Sequence, residues 1–181
     1  MNRVKLITPT TAAGDSKVLL EQINAAFGVV PAMFQAVANS PVALKSMWGG
    51  FGALAGGTLS PKLKEQLAVA IADRNDCEYC LAAHTALGRK AGATPQEISE
   101  AQAGRSADPQ TAAALTFALK VVETRAQLAD ADFDAVRRVG FSDEAIVEII
   151  AHVALNLFTN YVNVALRVPV DFPHVKLRKS A

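Results

Sequence analysis

Apolar residues recur at every third or fourth position along most of this chain, in stretch after stretch, while strict two-residue alternation is almost absent. The pattern predicts an all-α fold with helices over roughly 15–27, 31–39, 41–55, 61–74, 76–91, 95–103, 109–126, 130–138 and 142–166. The breaks between them read as caps and turns. Ser60 precedes Pro61, and Thr94 precedes Pro95 with Glu97 at capping-box spacing. Gly92 and Gly140 stand where helices should stop. Several connections are only a few residues long, which favours antiparallel neighbours packed as helical hairpins. Leu59-Ser60 and Phe141-Ser142 are alike, each an apolar staple and a cap opening a long apolar helix, and periods this loose arise in any helical bundle.

Length and composition narrow the picture. A chain of 181 residues that is 51% apolar suits one domain, 1–181, with residues 1–14 as an N-terminal arm and 172–181, carrying Lys176, Arg178 and Lys179, as a solvated tail. Eighteen basic side chains balance seventeen acidic ones, which offers no case for nucleic acid or an anionic membrane as partner. The opening MNRVKLITPTTAAG is broken by Lys5 and Pro9 and fails as a secretory apolar core, so the cytoplasm is the expected compartment.

The chemistry concentrates in NDCEYCLAAH, residues 75–84, which holds both cysteines of the chain. In a reducing compartment a Cys-x-x-Cys pair is catalytic, redox-sensing or metal-binding more often than a permanent bridge. Asn75, with Glu78 three residues on, predicts a helix start that puts Cys77 and Cys80 in its first two turns, where unpaired amides favour a thiolate. On such a helix the cysteines project about 60° apart and His84 returns to within about 20° of Cys77, so the three share one face. If the chain reverses near Arg74-Asn75, Glu65 of the preceding helix lies level with His84 and can orient it or take its proton.

Glu65, Cys77-x-x-Cys80 and His84, with eleven and three residues between, resemble the signature of the AhpD-like (alkylhydroperoxidase D-like) branch of the carboxymuconolactone decarboxylase family. The similarity is strongest over about 44–92 and weaker over 142–166. The resemblance implies a helical fold that assembles into trimers or hexamers, and a thiol-dependent peroxidase that uses no cofactor, metal or haem. It implies Cys80 as attacking thiolate, Cys77 as resolving thiol, and His84 with Glu65 as proton relay. It also implies a dithiol reductant, for instance on a dihydrolipoyl-bearing adaptor. Some members carry histidine where this chain has Tyr79. Local physics pulls the other way on one point, since Cys77 lies nearer the positive helix end and should be the more acidic thiol.

Other readings stand beside this one. A structural zinc site generally wants four ligands, and beyond the two cysteines the chain offers only His84, His152 and His174. The pair could also be buried and unreactive. A redox-responsive binding module is the non-enzyme reading, and a lactone decarboxylase is a second enzyme reading against which the Cys-x-x-Cys counts. His152, Asn156, Asn160 and Asn163 form a polar stripe on the last long helix, expected to pair with another helix or subunit, or else to line a wet pocket. The low-bulk segment around Met47, Trp48 and Phe51, with Gly49, Gly50 and Gly52, reads as close packing or as a peroxide entry pocket. Met33 and Phe34 read as core or subunit contacts.

Overall fold

The computed structural model describes residues 2–178, and among them there are nine helices and no strand. In chain order they are α1 (Gly14–Phe27), α2 (Ala32–Val37), α3 (Pro41–Ala55), α4 (Pro61–Arg74), α5 (Glu78–Lys90), α6 (Pro95–Gln102), α7 (Pro109–Thr124), α8 (Asp130–Arg138) and α9 (Asp143–Leu166). Every helix expected from periodicity is present, with ends shifted by no more than two residues.

The starts are chemically explicit. Ser40, Ser60, Thr94, Asp108 and Ser142 each accept a backbone N–H from three residues on, at 2.7–3.3 Å, and the first four precede a proline. Each such cap stabilises its helix by about 1 kcal/mol. Thr94 and Glu97 complete a reciprocal capping box. The start of α5 differs from the sequence expectation. Asn75 caps the C-terminus of α4 instead, Asp76 adopts a left-handed φ of 52°, and Cys77 is the N-cap of α5, with its sulfur accepting the Cys80 N–H at 3.2 Å. Three residues therefore reverse the chain, and Cys77 sits one position before the helix rather than inside it.

Helix α4 is the structural centre. Leu67, Val69, Ile71 and Ala72 are fully buried, and it packs against α5, α6, α7 and α9. α9 is long and apolar enough to cross a membrane by length and composition alone. Here it is a core helix, packed on α2, α3, α4, α5, α7 and α8, with Ile149, Val153 and Asn160 buried. Glu148 of α9 accepts the backbone N–H groups of Thr58 and Leu59 at 2.8–3.2 Å, and so ties the turn before α4 to α9.

Both flanks of the described residues are tied to the bundle. In the arm, Arg3 N–H donates to Leu166 O at 3.0 Å and Ile7 N–H to Gln35 O at 2.9 Å. The solvated tail expected over 172–181 is not what 171–178 form. Asp171 accepts the Ala32 N–H at 2.6 Å, Phe172 stacks edge-on against Tyr79, and the Arg178 N–H reaches Asp73 at 2.9 Å. Apolar Phe172, Val175 and Leu177 pack this segment against the core, a pattern that Lys176 and Arg178 obscure in the sequence. Lys179 lies outside the described residues.

Candidate active site

The α4–α5 hairpin carries the four residues singled out by spacing. Its legs approach closely because α5 presents Ala82, Ala83 and Gly88 at buried positions. A Cβ on Gly88 would stand 2.7 Å from the Ile98 side chain and 3.4 Å from the Cβ of Glu65, so the missing side chain makes room for Ile98 of α6, with Glu65 at ordinary contact distance beside it. One turn earlier, His84 Nδ1 meets Glu65 Oε2 at 2.7 Å. The carboxylate and the imidazole are therefore directly paired, with side chains 21% and 14% exposed, sheltered but not sealed.

Cys77 and Cys80 are joined as a disulfide, with their Cα atoms 5.4 Å apart. Each is almost wholly buried, 1% and 2% exposed, so each sulfur is reachable only through whatever pocket adjoins it. Cys80 Sγ also accepts the Asn163 side-chain N–H at 3.2 Å, a contact that comes from α9, 83 positions along the chain.

Three cavities surround this centre. One of about 60 Å³ adjoins Cys80 and His84 and is walled by aromatic rings, chiefly Phe27, Phe34, Phe51 and Phe172. A second of about 280 Å³ opens on the other side of His84 and is lined by Glu65, Lys64, His152 and Asn156, with Phe51, His84 and Thr159 as the partition between the two. A third of about 290 Å³ adjoins Cys77 with Asp76, Glu78 and Arg167, and does not touch Cys80.

The polar stripe of α9 serves both ends of its expected alternatives. Asn160 accepts the Asn75 side-chain N–H at 2.9 Å, which braces the hairpin turn, and Asn163 reaches the sulfur. His152 and Asn156 line the second cavity, together with Glu65. His152 is 8% exposed and its Nε2 has no partner. Burial, and secondarily the Lys64 charge, hold its pKa below the usual histidine value, so it is a neutral imidazole near pH 7. Tyr79 is likewise kept un-ionised, mainly by burial and also by the neighbouring Asp171 carboxylate, and its hydroxyl accepts the Met33 N–H at 3.3 Å.

The low-bulk part of α3 resolves unevenly. Gly50 has Leu155 of α9 at 3.3 Å from where its Cβ would be, whereas Gly49 and Gly52 face open space, so close packing accounts for one of the three. Phe51 walls the two cavities that meet at His84, while Trp48 and Phe34 belong to an aromatic cluster with Phe27. Among the described residues no three His, Cys, Asp or Glu side chains gather as a metal-binding group. Spacing alone missed Asn163 as a sulfur contact and Glu148 as a brace, since both partners lie far away in sequence.

Residues 43–124 match the sequence model of the Carboxymuconolactone decarboxylase family. No curated protein matches the chain. Among solved structures, it is similar to an uncharacterized peroxidase-related protein from Ralstonia eutropha JMP134, described as an alkylhydroperoxidase AhpD core, at 26% identity and a TM-score of 0.85, covering 94% of this chain and 92% of that one. A peroxidase-related protein from Silicibacter sp. TM1040 follows at 24% identity and TM-score 0.80, covering 93% and 91%. The debrominase Bmp8, in its C82A form with 2,3,4-tribromopyrrole, shares the fold at 21% identity and TM-score 0.77, covering 94% of each chain.

Proposed function

Through residues 43–124 this chain belongs to the carboxymuconolactone decarboxylase family, in its AhpD-like branch, and on that premise we propose that it is a thiol-dependent hydroperoxide reductase. The observation that carries the reading is the 2.7 Å pairing of His84 with Glu65, on the hairpin that holds the two cysteines and beside the pocket into which Cys80 opens. A cysteine pair alone serves many purposes. A cysteine pair beside a carboxylate-oriented imidazole is equipped to move protons as sulfur bonds change.

In the proposed cycle the Cys80 thiolate attacks the distal oxygen of the hydroperoxide. The O–O bond breaks, the alcohol or water leaves with a proton from His84, and Cys80 becomes a sulfenic acid. The Cys77 thiol then attacks that sulfur, water departs, and the Cys77–Cys80 disulfide forms. Glu65 holds the imidazole in orientation and balances the charge it gains. Asn163 donates to the Cys80 sulfur and favours its thiolate, which offsets the advantage Cys77 takes from the helix start. A dithiol reductant, for instance a dihydrolipoyl-bearing adaptor, returns the pair to dithiol.

The aromatic walls of the Cys80 pocket favour a small apolar group on the peroxide. From the family resemblance we further propose a homo-oligomer, trimer or hexamer. We place the protein in the cytoplasm, where a dithiol reductant is at hand.

Peroxide consumption with dihydrolipoamide, measured for wild type and Cys80→Ser, tests the assignment. Turnover that vanishes in the variant is the expected result. Oxidation that stops at one equivalent in wild type, without turnover, would favour a redox-responsive binding module instead.

A further inference from the structure

We infer that the two sulfurs are served from opposite sides: oxidant reaches Cys80 through the aromatic pocket, and the reductant docks in the separate pocket beside Cys77 and attacks Cys77 first. This assignment rests on the peroxidase reading only for the existence of the oxidative half of the cycle.

The argument begins with access. Both sulfurs are almost entirely buried, so a nucleophile meets each only where a cavity touches it. The aromatic pocket touches Cys80 and not Cys77, and the pocket at Asp76, Glu78 and Arg167 touches Cys77 and not Cys80. Tyr79 and Asn163 line both and form the wall between them. Thiol–disulfide exchange requires the incoming sulfur to approach in line with the bond it breaks. A pocket that contains Cys77 but excludes Cys80 lies on the side from which Cys77 is attacked with Cys80 as the leaving group.

Size points the same way. About 60 Å³ beside Cys80 takes a small peroxide but not a dithiol on its carrier arm, whereas about 290 Å³ beside Cys77 does. Its wall of Val164, Val168 and Val170 offers an apolar surface for the aliphatic part of such a dithiol. Leaving-group stability is divided, because the Cys80 N–H bond to Cys77 Sγ favours Cys77 as the departing thiolate while the Asn163 amide favours Cys80. Access decides here, since a sulfur that cannot be reached exchanges with nothing.

The chemistry balances as follows. One thiolate of the dithiol attacks Cys77 Sγ, the Cys77–Cys80 bond breaks, and Cys80 leaves as a thiolate received by the Asn163 amide and protonated through His84. The second thiolate of the dithiol then attacks its own partner sulfur, closing the reductant's disulfide and releasing Cys77. Two thiol protons pass from reductant to protein, and the reductant is oxidised by two electrons.

Two measurements test this. Oxidised wild type is mixed with glutathione, acid-quenched early in the reaction, alkylated and mapped by mass; the adduct is expected on Cys77, and an adduct on Cys80 overturns the assignment. In the second, Val170→Trp and Val164→Trp, both at solvent-exposed positions, narrow the Cys77 pocket. Each should slow reduction by dihydrolipoamide about tenfold while single-turnover oxidation by a hydroperoxide stays within about twofold. Phe27→Trp, at a solvent-exposed position that narrows the aromatic pocket, should show the reverse. Equal slowing of both half-reactions by the tryptophan variants refutes separate entrances. Reduction of the disulfide needs no peroxide, so a protein that never turns peroxide over would discard the peroxidase reading and leave the result on Cys77 standing.

Discussion

The α4–α5 hairpin and helix α9 contribute to the same site in opposite ways. The hairpin supplies Glu65, Cys77, Cys80 and His84 from within twenty residues, and its geometry follows from one tight reversal. From the other end of the chain α9 brings Asn163 to the Cys80 sulfur, His152 to the cavity that Glu65 and His84 also line, and Glu148 to the turn before α4. The difference teaches that reactive groups can be a local pattern while the groups that tune and hold them are a property of packing.

The comparison breaks most easily at the hairpin. Cys80→Ser should lower peroxide turnover by at least about 10³-fold, as loss of a nucleophile does, in a steady-state assay with excess dithiol. Glu65→Gln should cost about 10²-fold in kcat with little change in KM, because it removes the charge that supports the imidazolium rather than a binding contact. If Glu65→Gln keeps full activity across the pH range, the relay has no part in the chemistry.

Effects from α9 should be smaller and of another kind. Asn163→Leu removes one hydrogen bond to the sulfur, of about 1.5 kcal/mol if the sulfur is charged, and should slow Cys80 oxidation about tenfold near neutral pH, with the rate recovering as pH rises. A variant with the same deficit at every pH would mean that Asn163 only packs.

The smallest effects concern stability against acid. His152 has a lowered pKa in the folded chain, so the unfolded state binds the proton more readily, and stability should decline as pH falls below the ordinary histidine value of 6.5. Glu148, lowered chiefly by its bond from the Thr58 N–H, should add a second decline as pH falls below 4.5. Urea melts across this range should lose the upper step in His152→Gln and show a smaller lower step in Glu148→Gln, the remainder belonging to Glu97, Asp108 and Asp132, whose pKa values hydrogen bonds likewise lower. A single unaltered step in both variants would put the acid sensitivity elsewhere.

These contrasts mark what was legible in the sequence. Helical periodicity, proline and short polar caps located all nine helices, because those signals are local and physically strong. The Glu65–His84 pairing was legible for a similar reason: both residues are nearly equidistant from the reversal. Cys77 as the cap was not, since Asn75 has the better side chain for that role and only the left-handed turn at Asp76 moves the helix start beyond it. The 171–178 segment was missed because its charges mask an apolar face that only Tyr79 and the bundle reveal.

The sulfur that caps α5 has a consequence for the protein as a whole. A thiolate, a thiol and a disulfide sulfur differ in strength as acceptors for the Cys80 N–H, so every change of oxidation state also alters how firmly the helix is anchored at its origin. Oxidised and reduced forms should then melt at different temperatures. By a closed thermodynamic cycle, the gap between their unfolding free energies equals the extent to which folding shifts the exchange equilibrium of the pair. Calorimetry of the two forms would thus weigh the electron affinity of the site without adding any oxidant at all.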